Sequence, residues 1–191
     1  MSVFNEKSLI YTETLLGNKQ EPISFVFSAQ SEERLFDLFQ TAGWQAADEI
    51  NIFNIYKLAK ANLLNDNYSK APTTPSFWGS RVPDFNFVKV TNANNLRNRH
   101  QIRIWKSKFV LADGSRLYMG IVSLNKEIKW GVIHQIGPDL NAEREFLFAD
   151  LTATGMIKKI EKKNLVEAQT GKNFSGDVFF TDGDIYILFL K

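Results

Sequence analysis

In the stretch NRHQIRIW, residues 98–105, two arginines, an amide and an indole recur at every second position. In an extended strand alternate side chains point to opposite faces. Arg99, Gln101, Arg103 and Trp105 then share one face, and His100, Ile102 and Ile104 share the other. Guanidiniums present rigid donor forks that suit carboxylate or phosphate. Trp105 adds an apolar wall against which a ring or a guanidinium can stack. The same spacing also describes a solvated sheet face laced by cross-strand salt bridges.

Arg144 is the second unusual charge. It falls on an apolar stripe of Leu140, Leu147, Phe148 and Leu151, where a cation needs a partner. Either it forms a buried ion pair, with Asp84 or Asp139 as candidates, or it reaches toward the polar site of Arg103. The two histidines, His100 and His134, each precede glutamine in the repeated tripeptide HQI. Either could serve as an acid or base. A regular strand, however, turns His100 away from Arg99 and Arg103, and helical metal-ligand spacing such as H-E-x-x-H is absent. No metal site is expected. No P-loop, G-x-G-x-x-G or nucleophile-elbow pattern occurs, so no cofactor is expected either.

These residues need a scaffold, and the composition supplies one. A chain of 191 residues with 44% apolar and 23% charged residues is ordinary for one globular domain. Sixteen Phe point to a well-filled interior. The net charge of +2 produces no global field toward nucleic acid, and an aromatic RNA-binding motif is missing, so nucleic acid is not an expected partner. The absence of Cys excludes disulfides, thiolate metal sites and a Cys nucleophile. MSVFNEKSLIYTETLLG lacks the uninterrupted apolar core of a signal peptide, and no window reaches the about twenty apolar residues of a membrane span. A soluble chain is expected, cytoplasmic by default.

The order of elements reads as follows. EPISFVFSAQ is a strand. A helix follows, with Ser31 as its N-cap, Leu35, Phe36, Leu38, Phe39 and Ala42 as its apolar stripe, and Gly43 at its end. A second helix is predicted over about 47–65 from Ile52, Ile55, Tyr56, Ala59 and Leu63. Residues 66–83 hold three of the five prolines and form a loop. DFNFVKV, RHQIRIWKSKFVL, RLYMGIVSL and KWGVIHQI read as strands, with a hairpin turn at Asp113-Gly114. A third helix starts at Asp139 or Asn141 and ends at Gly155. MIKKIEKKNLVEAQ is a strand whose lysines suit a solvated edge, and DIYILFLK closes the sheet. The expected fold is α+β: a largely antiparallel sheet with about three helices packed on one side, as a single domain over residues 14–191 behind an extension at 1–13.

The ordered segments LLGNKQEPISFVF, AGWQAADEI, YSKAPTTPSFWGSRVPDFNF, RHQIRIW, DGSRLYMG, IHQIGPDLNAER and GKNFSGDVFFTDG resemble the LssY C-terminal domain family. The resemblance implies a component linked to type I secretion and proximity to a membrane, with no established reaction. It singles out Arg81, Asp84, Arg99, His100, Arg103, Trp105, Gly120, His134, Asp139 and Arg144. The chain departs from the family where Gln101 and Gln135 replace histidine, where Tyr118 replaces tryptophan, where Asn141 replaces aspartate, and in the WGSR loop. If the paired histidines formed a metal or acid–base site, these changes remove it, since Gln shuttles no proton at neutral pH.

Three functions remain open. One is a non-catalytic binding or interaction module for an anionic ligand or protein partner, lined by Arg99, Gln101, Arg103, Trp105 and Arg144 with Arg81 and Asp84. Another is a hydrolase of phosphate or acyl esters using His100 or His134. The last is a structural domain built on a buried Arg–Asp network. The oligomeric state is not legible.

Overall fold

A computed structural model describes residues 9–14, 16–48, 76–91, 99–129, 133–173 and 176–191, with the backbone alone at 126–129 and 133–136. In chain order the elements are β1 (Tyr11–Glu13), β2 (Lys19–Pro22), β3 (Phe25–Ala29), α1 (Glu32–Thr41), β4 (Gln45–Ala46), β5 (Phe85–Val90), β6 (Arg99–Val110) and β7 (Arg116–Lys129). They continue with β8 (Ile133–Ile136), α2 (Leu140–Ala153), β9 (Ile157–Asn164), β10 (Gln169–Lys172), β11 (Val178–Thr181) and β12 (Asp184–Leu190).

The main sheet has eight strands in the order β4-β5-β6-β7-β3-β12-β9, with β8 also paired to β7. Its centre is set by segments with no polar side. Every residue of FVFSA in β3 is buried, and β12 is nearly so. Such strands are stable only inside a sheet covered on both faces. The segment read from sequence as closing the sheet is therefore interior: β12 lies between β3 and β9. It runs parallel to β3, with Tyr186 opposite Phe25, while every other pairing of the main sheet is antiparallel. The lysine-rich β9 is the edge, as charged edge strands should be.

Among the described residues there are two helices, not three. The helix expected at about 47–65 lies outside them, apart from Ala47 and Asp48, which follow β4 as irregular chain. The predicted caps hold: Ser31 Oγ accepts from Arg34 N–H at 3.4 Å, and Asp139 Oδ1 accepts from Asn141 and Ala142 N–H at 2.9 and 3.0 Å. The Asp113-Gly114 turn joins β6 to β7, with Gly114 at φ +83°.

Both helices pack on one face of the sheet. Leu35, Leu38 and Phe39 of α1 and Leu147 and Leu151 of α2 meet Phe27, Phe87, Ile102, Ile104 and Leu188. Gly120 leaves room there: a Cβ would lie 3.0 Å from the Phe27 ring. The opposite face carries Val26, Trp105, Met119, Ile121 and Ile187, covered in part by Trp78. The two short hairpins, β1–β2 and β10–β11, are separate two-stranded sheets. Residues 11–13, read from sequence as part of an extension, form β1, with Tyr11 opposite Pro22.

Candidate functional site

The strand alternation read from NRHQIRIW is present in β6. His100, Ile102 and Ile104 face the helices, while Arg99, Gln101, Arg103 and Trp105 face the other way. The arginine face is not open to solvent. Arg99, Gln101 and Arg103 are all buried. Gln101 Nε2 donates to Ser123 Oγ at 3.0 Å, Asn125 Nδ2 donates to Gln101 Oε1 at 3.0 Å, and Arg103 Nη2 reaches Ser123 Oγ at 3.5 Å. Buried Glu21 of β2 supplies negative charge to Arg103: burial lowers the guanidinium pKa and Glu21 opposes that shift. Thr12 of β1 holds Glu21 in place, its hydroxyl donating to the Glu21 carbonyl at 2.9 Å and lying 3.3 Å from the carboxylate. The arginine face is thus an internal polar layer that engages the β1–β2 hairpin.

Trp105 is also buried, about 20 Å along the strand from Arg99 at the usual rise per residue. Its indole N–H donates to the Arg81 carbonyl at 2.9 Å. Arg81 Nη2 donates to the Lys106 carbonyl at 2.8 Å, and Asp84 Oδ2 accepts from Lys106 N–H at 2.8 Å. Arg81, Asp84 and Trp105 therefore form one cluster, and Arg99, Gln101 and Arg103 form another.

Beside the first cluster opens a cavity of about 490 Å³, lined by Trp78, Arg81, Lys106, Lys108, Phe109 and Arg116 together with Leu9, Gly79 and Ser107. Among the described residues no carboxylate lines it. Arg81 lies 3.9 Å from Asp84, and Lys106 is paired with Glu32. Among the described residues Lys108 and Arg116 have no carboxylate within salt-bridge reach; Arg116 Nη1 donates to the Ser107 carbonyl at 2.9 Å. Lys106, Lys108 and Arg116 were not singled out in the sequence. Their signal is the spacing RIWKSKF…DGSR, which brings cations of two strands together across one hairpin, with a register shift between Lys106 and Val110.

Arg144 belongs to neither cluster. It lies on the helix face, opposite the side of the sheet that carries Arg103, so the expectation that both reach one site is corrected. Its partner is neither Asp84 nor Asp139. Nη1 and Nη2 grip Asp182 at 2.6 and 3.0 Å, Nε and Nη2 reach Glu145 Oε1 at 3.1 and 2.9 Å, and Nη1 donates to the Asp184 carbonyl at 2.8 Å. Asp139 is occupied as the N-cap of the same helix. Burial would lower the Arg144 pKa, but the Asp182 and Glu145 bonds outweigh it and raise it further. Tyr186, whose hydroxyl donates to Glu145 Oε2 at 2.8 Å, is pushed up to about 12 by burial and then by that acidic partner.

His100 sits on the helix face against α2. Its ring stacks on Phe146 with centroids 3.9 Å apart, and Nδ1 lies 2.7 Å from Glu143 Oε2. Nε2 is 3.5 Å from Thr91 Oγ1. Glu143 escaped the sequence reading because one residue in the first helical turn looks like a dipole complement. His134 is in β8 with its backbone opposite Ile128, and its side chain is outside the described residues. Among the described residues no three His, Cys, Asp or Glu side chains cluster as a metal site, and no helix is long and apolar enough to cross a membrane.

Neither a curated protein nor a solved structure matches the chain. One family model does match, over residues 5–185: that of the LssY C-terminus.

Proposed function

We propose that this chain, which belongs to the LssY C-terminus family, is a non-catalytic binding module that recognises an anionic group. The observation that carries the reading is the cavity beside Arg81: among the described residues it is lined by four cationic side chains and no carboxylate, and two of the four, Lys108 and Arg116, have no carboxylate within salt-bridge reach. A group offering several oxygens would meet guanidinium and ammonium donors there, with Trp78 and Phe109 as apolar walls. Arg99 and Arg103, favoured by sequence for this role, are buried and better read as an internal polar layer, in which Arg103 faces the charge of Glu21 in β2. Arg144 is better read as a tie between α2 and the Asp182–Asp184 segment.

A ligand that binds only the folded chain raises its unfolding midpoint by mass action. Inorganic phosphate, sulfate and short dicarboxylates are expected to raise the midpoint of wild type and to do so less for Lys108→Gln and Arg116→Gln. No rise with any of them, or an undiminished rise in both variants, overturns the reading.

A hydrolase reading has one observation in its favour: Glu143, His100 and Thr91 stand in line, so that a carboxylate orients a base facing a hydroxyl. It predicts turnover of simple phosphate or acyl esters that His100→Asn abolishes without unfolding the chain. Wild type without turnover on such a panel removes its support.

A further inference from the structure

The cavity is flanked by exposed apolar side chains as well as by cations. Val82, next to Arg81, is 62% exposed, and Val110, next to Phe109 and opposite Arg116 in the β6–β7 register, is 51% exposed. Arg81 lies over the Trp78 ring and Lys108 over the Phe109 ring, at 5.7 and 5.6 Å. Cations lying over aromatic rings, with exposed valines next to them in the chain, suit a surface that is itself charged outside and apolar just beneath.

We infer that the anion met by this cavity is the phosphate of an acidic lipid in a bilayer surface, with Val82 and Val110 entering the interface beside it. The inference rests on the anion-binding reading above and adds the apolar half of the ligand. Among the described residues the β9 edge is a second cation-rich surface, but its lysines already contact carboxylates. Glu161 binds Lys159 and Lys163 at 2.8 and 3.2 Å, and Asp184 binds Lys162 at 3.2 Å. Its lysines each have an acidic neighbour in the fold, Lys158 lying 3.9 Å from Asp113, whereas Lys108 and Arg116 have none among the described residues.

The test is sedimentation of the full chain with phosphatidylcholine vesicles, with and without phosphatidylglycerol, run beside calorimetry with inorganic phosphate. Wild type is expected to sediment only with the acidic vesicles and to be released by high salt. Lys108→Gln should weaken vesicle binding roughly fivefold, the effect of one interfacial cation, and weaken the phosphate response as well. Val82→Ser with Val110→Ser changes only exposed groups; it should keep the phosphate response and lose most vesicle binding. If wild type responds to phosphate but ignores acidic vesicles, or if the double serine variant binds vesicles as wild type does, the bilayer inference falls and the anion-binding reading stands. If neither phosphate nor vesicles bind, both fall.

Discussion

Arg144→Met deletes a guanidinium while keeping a long apolar stem against the Tyr186 ring, over which Arg144 now lies at 5.8 Å. The geometry sets the size of the loss. The Arg144 side chain is 3% exposed, but its two acids are not sealed in: Asp182 is 38% and Glu145 46% exposed. Breaking a fully buried ion pair from one side costs about 3–5 kcal/mol. Here water can reach both carboxylates once the cation is gone, so the loss should fall lower, at about 2–3 kcal/mol, with the partly buried Asp184 carbonyl losing the Arg144 donor. In a chain of this length that lowers the melting temperature by roughly 4–12 °C. Asp182→Asn keeps the cation, with Glu145 and the Asp184 carbonyl still in place, and should cost about 1–2 kcal/mol. The double variant should cost less than the sum, because the shared contact is lost only once. Urea unfolding at pH 7 with unchanged m-values measures all three. An Arg144→Met variant within about 0.5 kcal/mol of wild type would show that this network holds nothing, and the argument from burial and bidentate geometry would be wrong.

The same segment predicts an acid response. The Arg144 bond holds the Asp182 carboxyl below its ordinary value, and the Asn164 bond does the same for Asp184. Their contribution is complete above the unfolded-state pKa of about 4 and is lost as pH falls through the lower folded values. Stability should therefore decline below about pH 4, less steeply in Asp182→Asn; equal slopes would refute the assignment. Gly183 combines φ +81° with a virtual Cβ only 1.8 Å from the Val166 carbonyl oxygen, whereas Gly155 at φ +69° has open space around it. Gly155→Ala should cost about 1–2 kcal/mol and Gly183→Ala distinctly more, with urea midpoints that rank in that order. Glu143→Ala strips the buried partner from His100 Nδ1 and should cost about 1–3 kcal/mol by the same measurement; a smaller loss would mean that Phe146 stacking alone secures the ring.

What could be read from sequence is what local chemistry decides. Asp113-Gly114 demands a turn, Ser31 and Asp139 are helix caps by their side-chain oxygens, and the two-residue period of NRHQIRIW assigns its two faces. Period alone does not say whether a face is wet. Arg99 and Arg103 are both buried, and Arg103 feels the charge of Glu21 in β2, yet the β1–β2 hairpin, with Glu13, Lys19 and Glu21 among its few residues, carries almost no strand signal of its own. Its place depends on a carboxylate being wanted near Arg103. Arg144 posed the same difficulty: the candidate acid on its own helix, Asp139, was already used as a cap, and the acids it grips are the adjacent Glu145 and the distant Asp182. The basic cavity was hidden for a third reason. Lys108 and Arg116 converge only through the register of β6 on β7 and its irregularity, which no single segment encodes.

The parallel seam between β3 and β12 has a consequence for how the chain is made. β5, β6 and β7 form a meander of sequence neighbours and can pair as they emerge from the ribosome. β3 emerges earlier still, yet one of its two edges has no partner until residues 184–190 are out, and β9 attaches to the sheet only through that same late strand. During synthesis the buried row Phe25, Val26 and Phe27 therefore waits with one edge open, a state prone to wrong pairing. Closure across so long a loop should make folding slow for the chain's size, and a nascent chain stalled before Asp184 should be protease-sensitive throughout β3 and β9.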